Sequence, residues 1–353
     1  MSRRLERGSQ VPGAVHKKRR LSPSFFIGLL AAGIVAGTLL SIATGSANIS
    51  LQTVLDAFVR YDAGSVQHYT VLSVRLPRAI LALLVGGSLA AAGAIMQGMT
   101  RNPLASPSIM GVSAGSSFAV VAAFAFWPFL SYHQVIAVSL AGAAAATLLV
   151  YGAGTLASLS SAGPRAHVKL ALAGAAVSAL LGAMSHGIQL YYGLAQDVML
   201  WYAAGLAGVK WVDVVTVLPW VCSGLAAAGF LSGSITLLAL GEDVAAGLGQ
   251  RVKRVKLLGA LTVFVLTGAA VAVAGPIGFI GLIIPHLTRF LIGVDYRIVI
   301  PCSALLGGWL LLMADTVSRM VNPPQETPVG IITALLGVPF FLYLARKEGR
   351  GSL

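Results

Sequence analysis

Charge is what this sequence most lacks. Only 10% of its 353 residues are Asp, Glu, Lys or Arg, against about a quarter in a soluble domain. Acids are the scarcer sign, with 11 Asp and Glu facing 24 Lys and Arg. The acids are scattered, and the six histidines show no metal-ligand spacing, so no acid–base or metal centre is expected. Cysteine is nearly absent. Cys222 and Cys302 both sit in apolar runs and read as small buried hydrophobes, not as a disulfide pair. No Gly-Lys dipeptide occurs, which excludes a G-x-x-x-x-G-K-[ST] phosphate loop. If ATP drives this chain, another polypeptide must hold it.

What is present is apolar. Hydrophobic residues make up 57% of the chain, and the mean hydropathy is +0.86. Forty-one glycines suit membrane helices that pack through small side chains. The fold class expected is therefore an all-α polytopic membrane protein, with lipid as its surroundings. In a soluble protein the net charge of +13 would suggest nucleic acid. In a bilayer chain the same excess is the positive-inside bias, and no nucleic-acid partner is expected.

Residues 1–24 form a basic leader carrying Arg3, Arg4, Arg7, Lys17, Lys18, Arg19 and Arg20. A transmembrane domain covers residues 25–346, and residues 347–353 are a short tail. Apolar runs long enough to cross a bilayer are expected at 25–45, 76–98, 109–127, 135–157, 168–191, 212–231, 257–274, 277–291, 298–317 and 329–344. A cleaved signal peptide is the alternative for the first run, because Ala43-Thr44-Gly45 has the small-x-small form. About ten crossings put both termini on one side. With that side cytoplasmic, only Arg60, Arg75, Arg78, Lys210 and Arg319 of the 24 basic residues fall outside, which is a strong inside bias. The 83–95 stretch LLVGGSLAAAGAI echoes FVLTGAAVAVAGPI at 264–277, and the two runs are antiparallel in this topology, as in an inverted repeat.

Three stretches carry chemistry. Arg75 and Arg78 bracket Pro77 in RLPR, and Arg319 follows Asp315 by one helical turn. An arginine at a helix rim often only snorkels, yet these three defy the inside bias. The segment 232–256, SGSITLLALGEDVAAGLGQRVKRVK, is the longest internal polar stretch. Its Leu237, Leu238, Leu240, Val244 and Leu248 leave an apolar patch on the cytoplasmic side, where a partner chain would sit. The stretch GPIGFIGLIIPHLTR, Gly275 to Arg289, breaks one helix and starts another, and reads as a tight packed turn.

RLPR, MQGMTRNPLASPSIMGVSAG, GEDVAAGLG and GPIGFIGLIIPHLTR together resemble the membrane subunit of bacterial ABC importers for iron-siderophores and cobalamin, the FecCD/BtuC-like permeases, over about Phe25–Arg346. The resemblance implies a type II ABC importer permease fold in the bacterial plasma membrane, with a ferric siderophore as substrate. It implies a second permease subunit, ABC ATPase subunits that use ATP and Mg, and a lipid-anchored or periplasmic substrate-binding protein. No cofactor would be bound by this chain. By the same resemblance Leu240, Gly241, Glu242, Asp243, Ala245, Leu248 and Gly249 couple to the ATPase. Arg75, Arg78 and Arg319 dock the binding protein, and His167, Val168, His186 and Gln189 line the path. Cobalamin or haem are alternative cargoes within the family. An ion-coupled secondary transporter is the alternative from another class, for which Asp315 is the candidate carboxylate.

Overall fold

The computed structural model describes residues 21–45, 48–107, 111–159, 166–196, 198, 201, 205–323 and 325–349. Residues 1–20 of the expected leader and 350–353 of the tail lie outside them. The described residues are all helix, turn and irregular chain, without a strand. Each apolar run carries a helix. The first is α1 (Pro23–Ala43), followed by the amphipathic α2 (Leu51–Val59) and a short α3 (Val66–Tyr69). Next come α4 (Leu76–Thr100), α5 (Val112–Phe126), α6 (Tyr132–Leu159) and α7 (Ala166–Tyr192). The second half holds α8 (Trp211–Leu240), the short α9 (Glu242–Gly247), α10 (Val252–Ala274), α11 (Ile280–Ile292), α12 (Tyr296–Val321) and α13 (Val329–Gly349).

Five stretches are long and apolar enough to cross a membrane: Pro23–Ala43, Val66–Thr100, Trp211–Leu240, Val252–Ala274 and Tyr296–Val321. Shorter apolar helices stand beside them, α5 and α11 among them. The chain is a multi-pass helical membrane protein.

Two boundaries differ from the sequence expectation. The run expected to start at residue 76 is continuous from Val66, through a π-helical turn at Thr70–Arg75. That turn stands just ahead of Pro77, whose ring would clash with a carbonyl one turn back in a straight α-helix. Trp211 on α8 donates its indole N–H to the Leu72 carbonyl in the π turn, at 2.8 Å. The second difference is at 232–256, where the preceding apolar run is expected to end at residue 231 and give way to a polar stretch. Residues 232–240 instead extend α8 to 30 residues, because nothing in Ser232–Leu240 interrupts a helix. Gly241, at φ 135, ends it, and only α9 is a separate short helix.

α4 is the centre of the bundle, and its small residues set how closely its neighbours approach. Gly86 lies against the Gly307 backbone of α12, and Gly93 against the Gly281 backbone of α11. Without Cβ atoms at these positions, backbones meet at distances no other residue allows. Gly33 and Gly37 of α1 face Trp309 and Met313 of α12, and Gly115 faces Ala146 and Gly142 of α6, so both G-x-x-x-G pairs serve packing within the chain. Cys222 is exposed, Cys302 is buried, and both are free.

Candidate functional site at the two rims

At one end, α1, α4, α12 and the α12–α13 connection bring Arg75, Arg78 and Arg319 into one cluster. Arg78 grips the Asp315 carboxylate through Nε at 3.0 Å and Nη2 at 2.9 Å. Its Nη1 donates to both oxygens of Glu326, at 2.8 and 2.9 Å. Arg319 completes the set. Its Nε lies 3.4 Å from Asp315 Oδ2, and its Nη2 donates to the Ser41 hydroxyl and carbonyl at 2.8 and 3.1 Å. Nη1 of Arg319 donates to the Thr44 carbonyl at 3.1 Å, and Arg75 donates to the Ile42 carbonyl at 2.6 Å. The carbonyls near the end of α1 are groups its own helix leaves without partners, so the two arginines serve as its C-terminal cap.

All three arginines and Asp315 are buried. The guanidinium groups therefore point into the bundle instead of standing free at a rim. Sequence reasoning identified the arginines and saw Asp315 as a possible partner of Arg319. It missed the pairing of Asp315 with Arg78 and missed Glu326 altogether. The only available signal was an acid in the polar NPPQETP stretch, in a region otherwise poor in acids.

At the other end, α9 lies across the ends of α8 and α10. Ala245 is buried and seats the helix, while Glu242 bonds Lys256 of α10 at 2.6 Å. Gln250 donates to the Ser234 carbonyl at 2.9 Å, and Gly249, at φ 82, turns the chain toward α10. Asp243 is exposed. Leu240, Val244 and Leu248 are 64%, 49% and 64% exposed, an apolar patch outside the bundle, whereas Leu238 is buried and Leu237 half-buried because both lie on the extended α8. Of the acids at the start of α9, Glu242 thus anchors the helix, whereas Asp243 faces outward.

Beside this patch the buried Gln97 of α4 ties α11 in place. Its amide N–H donates to the Gly281 and Leu282 carbonyls at 3.3 and 3.1 Å, and its carbonyl accepts from Arg289 at 2.6 Å. Gln97 was not singled out from the sequence, because its partners lie 184 to 192 residues away. Changing Gln97 to Leu is expected to destabilise the protein by about 1–3 kcal/mol, since it strips a partner from the half-buried Arg289 guanidinium and from two carbonyls. Thermal unfolding of the purified protein would read this, and an unchanged melting temperature would refute it.

The path candidates are less concentrated. His186 is exposed and Gln189 half-buried on α7, and they do not meet the two rim clusters. His167 and Val168 begin the same helix, but their side chains lie outside the described residues. Among the described residues α7 packs mainly on α5 and α6, and Leu172, Leu180, Met184, Leu190 and Tyr191 are exposed.

Known proteins resemble this chain. The model of the FecCD transport family matches residues 33–347. The iron(3+)-hydroxamate import system permease FhuB of Bacillus subtilis (strain 168) is 54% identical over 89% of this chain and 81% of its own. The Fe(3+)-citrate import system permease YfmD of the same strain is 44% identical over 94% of this chain and 97% of its own. A solved structure described as an inward-facing metal-chelate type ABC transporter superposes with a TM-score of 0.79 at 29% identity, covering 92% of this chain and 100% of that one.

Proposed function

Because the chain belongs to the FecCD transport family, the membrane permeases of ABC importers, we propose that it is one permease subunit of an ATP-driven importer of ferric siderophores. The observation that carries this reading is the exposed apolar patch of Leu240, Val244 and Leu248 on and flanking the short, anchored helix α9 at the end of the bundle. An apolar patch beyond the lipid zone needs a protein partner. A cleft in a separate ATPase subunit, which would bind the ATP and Mg, is the partner proposed. Leu240, Gly241, Glu242, Asp243, Ala245, Leu248 and Gly249 then form the coupling element, with the leucines and Asp243 in contact and Glu242, Ala245 and the glycines fixing its pose.

The topology proposed is about ten crossings in the plasma membrane, with both termini and α9 on the cytoplasmic side. The arginine cluster then faces outward, where a lipid-anchored or periplasmic binding protein docks. Glu326 is the half-open member of that cluster, with its side chain 41% exposed. A carboxylate of the binding protein would take its place on Arg78, while Arg75 and Arg319 hold the surrounding chain. The exposed face of α7, with His186 and Gln189, would meet a second permease subunit across the path. His167 and Val168, at the start of that helix, are kept as its cytoplasmic gate. ATP-driven closure of the ATPases would move the bundle between outward and inward access, with no covalent chemistry in this chain. The hydroxamate and citrate permeases among its relatives favour an iron chelate as cargo over cobalamin or haem.

An ion-coupled mechanism would require a carboxylate free to take up and release its ion. Asp315 is instead held between Arg78 and Arg319.

The decisive experiment replaces Leu240 and Leu248 together with Glu. Burying unpaired carboxylates in an interface costs several kcal/mol, so ATPase co-purification and uptake of a radiolabelled ferric siderophore should both fall at least about tenfold. Uptake that survives ATP depletion with the ion gradient intact would sink the ABC reading. Uptake of cobalamin or haem in place of the siderophore would correct the cargo alone.

A further inference from the structure

Two helices of the bundle begin inside it. α4 ends at Thr100, where Arg101 takes left-handed backbone at φ 51, but the chain does not stay at that end. The Pro107 ring returns to Gly281, which itself lies against the Leu89 carbonyl and Gly93 of α4. Those α4 residues are about 10–16 Å back from the helix end, at 1.5 Å per residue. α5 accordingly starts at depth, with Gly111 facing Ala146 and Val150 in the body of α6. Its 15 residues span about 22 Å, short of the hydrocarbon thickness of about 30 Å. α11 does the same in the second half. The chain turns at Gly275 and Phe279, both at positive φ, and a 13-residue helix starts at Ile280, level with Gly93. The echo between residues 83–95 and 264–277 thus falls on α4 and α10, the helices that precede these two breaks.

The first turns of α5 and α11 open onto one cavity of about 550 Å3, through Ser113 on α5 and Phe279 and Gly281 on α11. Each helix start carries a partial positive charge of about half a unit, and no Asp or Glu among the described residues lines the cavity to cancel it. A separate observation comes from α10. Thr267 lines the same cavity and is 1% exposed, yet its hydroxyl has no hydrogen-bond partner among the described residues. Thr262, one turn earlier, donates to the Leu258 carbonyl as membrane threonines commonly do. An idle buried hydroxyl is a donor awaiting an acceptor.

We infer that this cavity is a mid-membrane stopping site for the anionic oxygens, carboxylate or hydroxamate, of a metal chelate in transit. The inference rests on the permease reading and adds where, and by which atoms, the cargo is held. Two helix starts and one hydroxyl attract oxygen anions without a counter-charge to trap them, which suits a site that must also release. What reads from the sequence as a tight packed turn at Gly275–Gly281 is one wall of that site.

The test uses the complete permease–ATPase complex in lipid nanodiscs, with Cys222 and Cys302 changed to Ala and a single cysteine introduced as Ser113→Cys. Labelling rates are compared for a methanethiosulfonate bearing a sulfonate and one bearing a trimethylammonium. The anion-to-cation rate ratio should exceed that of Ser131→Cys, an exposed control in the α5–α6 connection, by about tenfold. Thr267→Val should lower that ratio, and ferric citrate should slow the labelling while uncharged triethyl citrate should not. If Ser113→Cys does not fold, Ser106→Cys probes the same cavity. A ratio equal to the control, labelling indifferent to ferric citrate, or no labelling in any nucleotide state would each overturn the inference. ATP-dependent uptake measured on the same complex keeps the permease reading separate, since any of those outcomes beside intact uptake removes only the cavity.

Discussion

Changing Asp315 to Ala is expected to destabilise the protein by about 3–5 kcal/mol, because it leaves buried guanidinium groups without their counter-charge. Arg78 reaches Asp315 at 2.9 Å and would keep only the half-open Glu326, while Arg319 shares the same acid. Asn in place of Asp should do nearly as much damage, since shape is kept but charge is not. The informative comparison is the triple change of Arg78→Met, Asp315→Leu and Arg319→Met. Removing both guanidinium groups together with the acid they share leaves the half-open Glu326 to water, so much of the lost stability should return. Melting temperature and yield in detergent would read all three. A triple variant no better than Asp315→Ala would show that the arginines' hydrogen bonds to α1, not charge balance, hold this end. Should Asp315→Asn fold well, retain ATPase coupling and still abolish uptake, ion coupling would return as the mechanism.

The second large effect is expected from Gly93→Val. A Cβ at Gly93 would meet the backbone of Gly281, which no rotamer change can relieve. The helices must separate, and overpacking of this kind costs about 1–3 kcal/mol or more. Gln97 lies one turn further along α4, so its bonds to the Gly281 and Leu282 carbonyls should weaken in the same step. The control is Gly229→Ala on α8, where an added Cβ meets nothing. There the change should stay within the helix-propensity difference of about 1 kcal/mol. Equal melting temperatures for Gly93→Val and wild type would mean that α4 and α11 are not packed as described.

Glu326→Gln separates the open member of the arginine cluster from the closed ones. Glu326 is partly exposed and Asp315 remains in place, so stability should change by no more than about 1 kcal/mol. Affinity for the binding protein should change instead, because Arg78 is left more available to an incoming carboxylate. Titration of the binding protein onto reconstituted permease reads this, and an affinity unchanged from wild type would remove Arg78 from the docking surface.

Local physics set much of this molecule, and it was readable residue by residue. Uninterrupted apolar runs place the helices, since a membrane span must satisfy its own backbone. Gly275 ends α10, and Leu240, Val244 and Leu248 of the expected apolar patch stand exposed, although Leu238 does not. The arginines of RLPR were conspicuous because they stood against the charge bias. What the tertiary structure alone decided is where those side chains point and what they meet. Arg78 finds Asp315 237 residues away and Glu326 248 away, and Gln97 meets Arg289 across 192. No local pattern encodes such pairings, because they depend on which helices pack around α4. The depth at which α5 and α11 begin was hidden for the same reason. Sequence marks a helix break by its glycines and prolines, but only packing, here Pro107 and Gly93 on Gly281, carries that break from the rim into the bundle.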